Sequence, residues 1–145
     1  MGVAAASPHD PVVLFDGDGS LLMHIQEFET ILRHNMHILI VVMNDGAYGS
    51  EIHKLRAEGL PEQCAVFGRP DFASIAEGFG ATGSTVTKLD ALPGLIQQFS
   101  DRSTDESAAT ESAATGSAAT GRLSVIDVHV SDKVVSPVIQ RSHKH

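Results

Sequence analysis

Two short acidic turns hold the residues of this sequence best suited to chemistry. Asp16-Gly17-Asp18-Gly19-Ser20 follows the apolar run Val12–Phe15, and Asn44-Asp45-Gly46 follows the apolar run Ile38–Met43. Carboxylates are hard oxygen donors, and Mg²⁺ takes one or two of them together with phosphate oxygens in near-octahedral geometry. A carboxylate in such a turn can also act as a nucleophile, with a second as general acid/base. The glycines allow a tight turn and close approach of the backbone to a ligand. Taken by type alone, the residues leave both chemistries open.

The surrounding elements narrow the choice. Unbroken apolar runs ahead of turns read as strands buried on both faces of a parallel sheet, and Val12–Phe15 and Ile38–Met43 are two such strands. Parallel strands end on one rim, so Asp18 and Asp45, 27 positions apart (45 − 18), can converge outside their carboxyl ends. Between them Leu22, Ile25, Phe28, Ile31 and Leu32 recur at helical spacing, predicting an amphipathic helix from Ser20 to about Arg33. Its first N–H groups have no intrahelical partner and would face an anion. Further on, YGSEIHKLRAEG (48–59) predicts a short helix stopped by Gly59 and Pro61. Asp71 is a candidate N-cap for DFASIAEGFG, with Phe72, Ile75, Ala76 and Phe79 on one face. ATGSTVT (81–87) and RLSVIDVHV (122–130) read as strands. LDALPGLIQQF (89–99) is a helix that tolerates Pro93 only in its first turn. Val3 to Ser7 reads as the last turn of a helix ended by Pro8, too short to nucleate alone. The alternation predicts a three-layer α/β fold, a mainly parallel sheet with helices on both faces.

Composition sets further bounds. A chain of 145 residues suits one domain, and its net charge of −8 without a Lys/Arg cluster argues against nucleic acid as a partner. Cys64 is the single cysteine, so no internal disulfide can form; a reducing compartment, the cytoplasm, is expected, with Cys64 a small inert hydrophobe. The first ten residues lack a basic and apolar targeting pattern, and Ile38–Met43 is too short to span a bilayer, so no membrane partner is expected. The tandem ESAAT, ESAAT, GSAAT within 101–121 offers no large side chain to bury and reads as a low-complexity linker. The domain proper then covers 1–100 and 122–137, with 138–145 a flexible tail. Met23, Met36 and Met43 are expected in the core, and His24, His34 and His37 lack the spacing of a zinc site.

Longer stretches add a resemblance. GDGSLLM (17–23) followed by NDGAYG (44–49) resembles the cofactor motif of thiamine-diphosphate-dependent enzymes. DFASIAEGFGATG (71–83) looks like that family's next helix and strand entry, and VIDVHVSDKVVSP (125–137) resembles the close of its acetolactate-synthase-like and 2-oxo acid decarboxylase branches. The likeness covers most of 9–99 and 122–137. It implies thiamine diphosphate and Mg²⁺ as cofactors, with Asp18, Asp45 and the main-chain carbonyl of Ala47 as metal ligands. Gly17, Asp18, Gly19, Ser20, Asp45, Ala47, Tyr48 and Gly49 would surround the cofactor. Asp45 departs from the family, which more usually has Asn there, and adds negative charge beside the diphosphate. NDGAYGSE also resembles a run of the pyruvate-decarboxylase branch that places Glu51 on its active-site glutamate; Glu51 could move protons if burial raised its pKa toward neutrality. His53 is expected on the surface.

The resemblance has two further implications. In this family a glutamate on a separate pyrimidine-binding domain activates the cofactor, normally across a subunit interface, which implies such a partner on another chain or subunit and an oligomer. The likeness also begins partway into the diphosphate-binding domain, so an N-terminal truncation is expected. The chain is then either the diphosphate-binding portion of a 2-oxo acid decarboxylase or acetolactate-synthase-like enzyme, inactive in isolation, or a catalytically silent binding module. A remoter likeness remains: VLFDGDGSLL resembles the first motif of haloacid-dehalogenase-like phosphohydrolases, with Asp16 as nucleophile and Asp18 as acid/base. It covers about ten residues, and the second strand closes on Asn44 where that superfamily needs Ser or Thr.

Overall fold

A computed structural model describes residues 1–102 and 122–134; the predicted 101–121 linker, apart from its first residues, and the 138–145 tail lie outside them. Four parallel strands form one sheet in the order β1-β2-β4-β3: β1 Val12–Gly17, β2 Ile38–Asn44, β3 Thr82–Val86 and β4 Leu123–His129. The helices are α1 Gly2–Ala6, α2 Asp18–Leu22, α3 Glu27–Arg33, α4 Gly49–Ala57, α5 Phe72–Phe79 and α6 Leu92–Arg102. The α/β reading holds.

Alternation along β2 and β4 builds two apolar layers. Ile38, Ile40 and Val42 with Leu123 and Val125 face Ala4 of α1, Leu21 of α2, Phe28 and Ile31 of α3, and Phe72 and Ala76 of α5. Leu39, Val41, Ile126, Val128 and Val86 face Phe99 of α6 on the other side. Each of the fully buried Val, Leu, Ile and Phe side chains contributes roughly 1.5–3 kcal/mol. The helix starts follow from chemistry: the Asp71 carboxylate accepts from the Ser74 N–H at 2.9 Å, and Pro93 lies in the first turn of α6, where its missing N–H costs nothing. Helix α5 sits directly on β3. A Cβ on Gly83 would lie 2.2 Å from the Ala73 carbonyl oxygen, so only glycine allows this approach.

Several expectations need correction. Strand β1 is an edge strand, not a doubly buried one, and Val13, Leu14 and Phe15 are all exposed, Phe15 at 68 %. The helix expected from Ser20 to Arg33 is two helices: α2 starts at Asp18, and turns over 23–26 interrupt the segment before α3. The break resets the helical phase, so Leu21 is the core residue and Leu22 is exposed. Met23 and Met43 are also exposed, whereas Met36 packs against the core. Cys64 is exposed rather than an internal hydrophobe.

Candidate cofactor cleft

The register Gly17↔Met43 ends β1 and β2 side by side, which brings the two acidic turns together on the carboxyl rim. Asp18 is buried. Its Oδ1 accepts from the Gly19 N–H at 2.8 Å, and its Oδ2 accepts from the Gly46 N–H at 2.7 Å, so one carboxylate ties both turns. Asp45 is half-buried and accepts from the Ala47 N–H at 3.0 Å. Burial, then the nearby Asp18 charge, pushes the Asp45 carboxyl above its ordinary pKa, against a weaker opposing effect from the Ala47 N–H. Two carboxyl groups thus lie close enough to repel, and His53 opposes that repulsion only weakly.

A cleft of about 320 Å³ opens at this rim. All eight residues expected around the cofactor line it: Gly17, Asp18, Gly19, Ser20, Asp45, Ala47, Tyr48 and Gly49. Met43, Ser50, Glu51 and Val130 complete the wall. Asp16 is not among the lining residues; its carboxylate accepts from the Gly17 N–H, which leaves the phosphohydrolase reading without its nucleophile in the cleft. Gly19 gives the Tyr48 ring its place, since a Cβ there would lie 2.7 Å from ring atoms Cδ1 and Cε1 and would have to displace the ring. A Cβ on Gly49 would lie 2.6 Å from Asp45 Oδ2 and would have to shift that carboxylate. The helix expected to offer its N-terminus to an anion is the five-residue α2, so attraction there rests on a few bare amides rather than a long macrodipole.

Segment 65–68, which carries no motif or periodicity of its own, backs the second turn. The Ala65 carbonyl accepts from the Tyr48 N–H, and the Gly46 carbonyl accepts from both Phe67 and Gly68 N–H groups. Gly46 has φ +83°, a conformation that favours glycine. Phe67 also meets Tyr48 edge-on, with ring centroids 5.1 Å apart. Beneath this segment lies Asp127, fully buried, accepting from Asn44 Nδ2 at 2.9 Å and from the Phe72 N–H at 3.2 Å. Asn44 Nδ2 also donates to the Pro70 carbonyl at 3.0 Å. The available signal was a lone carboxylate inside the apolar strand LSVIDVHV, which must be paired to be buried.

Glu51 reaches the cleft wall without the environment its expected role requires. Its side chain is more than half exposed, the Ser50 hydroxyl donates to it at 2.7 Å, and that bond holds its pKa below the ordinary range. His53 is half-buried and does not line the cleft. Among the described residues no three His, Cys, Asp or Glu side chains converge. A metal at this rim would therefore take two carboxylates plus backbone oxygen, and no described residue donates to the Ala47 carbonyl. That all-oxygen set suits Mg²⁺ rather than a softer ion. No helix among the described residues is long and apolar enough to cross a membrane.

Fold and cleft define a parallel-sheet α/β domain with a cleft at its carboxyl rim, between two acidic glycine turns, where open parallel sheets commonly take ligands. Residues 1–111 match the family described as thiamine pyrophosphate enzyme, C-terminal TPP binding domain, and the chain belongs to that family. It is 31% identical over 118 residues to the acetolactate synthase large subunit of Haemophilus influenzae, covering 74% of this chain and 21% of that protein. It is 30% identical over 98 residues to the isozyme 2 large subunit of acetolactate synthase from Escherichia coli, covering 66% and 18%. The chain thus spans about a fifth of the length of these relatives. Its fold matches the benzoylformate decarboxylase of Polynucleobacter necessarius with a TM-score of 0.68 at 21% identity, over 92% of this chain and 22% of that one.

Proposed function

We propose that this chain binds thiamine diphosphate through Mg²⁺, as the diphosphate-binding portion of a 2-oxo acid decarboxylase or acetolactate-synthase-like enzyme. The observation that carries this reading is Asp18 accepting from the Gly46 N–H, which joins the two acidic turns at one cleft. Asp18, Asp45 and the Ala47 carbonyl would hold the metal, and Gly17, Gly19, Ser20, Tyr48 and Gly49 would flank the diphosphate. The metal would offset the burial and the Asp18 repulsion that together raise the Asp45 pKa. When bound, thiamine diphosphate supplies the electron sink that 2-oxo acid decarboxylation and carboligation require. The chain's own part is to bind and orient it and to exclude water from its diphosphate end.

Turnover would need a pyrimidine-binding domain supplied by another chain or subunit. The solvent-facing Glu51, ionised and held by Ser50, supports binding without turnover by the chain alone. Titration calorimetry with thiamine diphosphate tests the first claim. Association is expected with Mg²⁺ and not with a chelator; Asp18→Asn lowers affinity at least about tenfold, and Asp45→Asn, which keeps an oxygen donor, retains binding. Equal association with and without Mg²⁺, or none in a folded sample, overturns the proposal. A 2-oxo acid decarboxylation assay, with and without a pyrimidine-domain partner, tests the second claim.

A further inference from the structure

Asp127 is the one carboxylate among the described residues with no exposed surface, and it stands outside the cleft. Burying a charge in an apolar layer costs several kcal/mol unless it is paired and hydrogen-bonded. Its neighbours on that face are Val125 and Leu123 from its own strand and Val42 from β2, and at the rim His129 brings its Nε2 to 3.7 Å from Asp127 Oδ2. Its two oxygens are divided between distinct tasks. Oδ1 accepts from Asn44, the residue immediately before Asp45, and Oδ2 accepts from the first N–H of α5. The Asn44 amide cannot be turned around, because both groups facing Nδ2, the Asp127 carboxylate and the Pro70 carbonyl, are acceptors. This orientation leaves Asn44 Oδ1 buried with no partner among the described residues. The donor side of Asn44 therefore ties two chain segments at once.

Those segments run alongside each other. Residues 65–68 pair with 46–48 through the Tyr48, Phe67 and Gly68 N–H bonds, and residues 70–72 are held at Asn44 and Asp127. We infer that Asp127 is a positioning residue: through Asn44 and the Phe72 N–H it anchors segment 65–72 against the 44–48 turn, and so fixes where Asp45 and the Ala47 carbonyl sit. The ligand consequence rests on the binding reading above; the geometric claim does not.

Amide hydrogen exchange in the ligand-free chain tests the geometry directly. In Asp127→Asn one acceptor becomes an NH₂ that must confront either the Asn44 amide or the Phe72 N–H. Exchange at Gly46, Phe67 and Gly68 is expected to accelerate at least about tenfold more than exchange at Val125 and Ile126, which report global opening. Asn44→Ala provides the same reading by the other partner should Asp127→Asn not fold. An equal change at both sets means that Asp127 acts only through overall stability, and overturns the inference. In calorimetry the same variants are expected to need at least about tenfold more Mg²⁺ for half-maximal thiamine diphosphate binding, whereas Ile126→Val, destabilised on the opposite face, needs no more than the parent. Should the parent itself bind no thiamine diphosphate, the function reading fails and the exchange result still decides the positioning claim.

Discussion

One methyl group, placed at two glycines, tests whether α5 is a fixed platform. At Gly83 the added Cβ would lie 2.2 Å from the Ala73 carbonyl oxygen and 2.7 Å from its carbon, both backbone atoms that no rotamer change can move. Ordinary contact begins near 3.4 Å, so helix and strand must separate by about 1.2 Å (3.4 − 2.2). Overpacking of this kind costs about 1–3 kcal/mol, and the entropy recovered by replacing a strand glycine offsets about 0.5–1 kcal/mol of it. Gly83→Ala is therefore expected to lose about 1–2 kcal/mol, a urea midpoint lower by about 0.5–1 M. Gly78, in the same helix, has nothing within 4 Å of its would-be Cβ. There the same change removes only backbone entropy, and Gly78→Ala is expected to gain about 0.5–1 kcal/mol. Urea unfolding followed by circular dichroism measures both. A Gly83→Ala protein as stable as the parent would mean that α5 slides without cost, and the argument from close packing would be wrong.

Three further outcomes follow from particular side chains. His37 is buried against Phe99 with ring centroids 4.2 Å apart; burial, then the Arg122 charge, lowers its pKa below 6.5, so the unfolded chain binds more protons and stability falls as pH drops below about 6.5. His37→Phe should flatten that slope, measured by thermal unfolding across pH 5–8, and an unchanged slope would remove His37 from the explanation. Gly19→Ala must displace the Tyr48 ring, costing no more than about 1.5 kcal/mol of stability but narrowing the cleft, so thiamine diphosphate affinity should fall at least about tenfold in calorimetry. Phe15→Lys places a charge on the exposed apolar edge strand and is expected to reduce concentration-dependent association in light scattering, with unfolding little changed; equal association in both proteins would count against an exposed β1 edge.

Much of the rim was legible because the signals there are local. Two acidic glycine turns behind apolar runs, the Asp71 cap and Pro93 each act within a few residues, and the structure has the two turns on one rim, the cap bonded to Ser74 and the proline in a first helical turn. What was not legible depends on partners distant in sequence. Val12–Phe15 says strand but not how many neighbours it has, and a sheet of order β1-β2-β4-β3 leaves it one. The phase of Leu21 against Leu22 depended on a break over 23–26 that no proline or glycine announces. Segment 65–72 has no periodicity of its own; its shape comes from the Gly46 carbonyl and from Asp127, 55 positions beyond Phe72.

Asp18 belongs to both kinds. Its carboxylate spans two loops 28 positions apart, already bonded to the amide of Gly46 before any ion arrives. The entropy of bringing those loops together is therefore settled when the chain folds, not when a ligand docks. If the proposed cation binds here, it would meet two loops that are already joined.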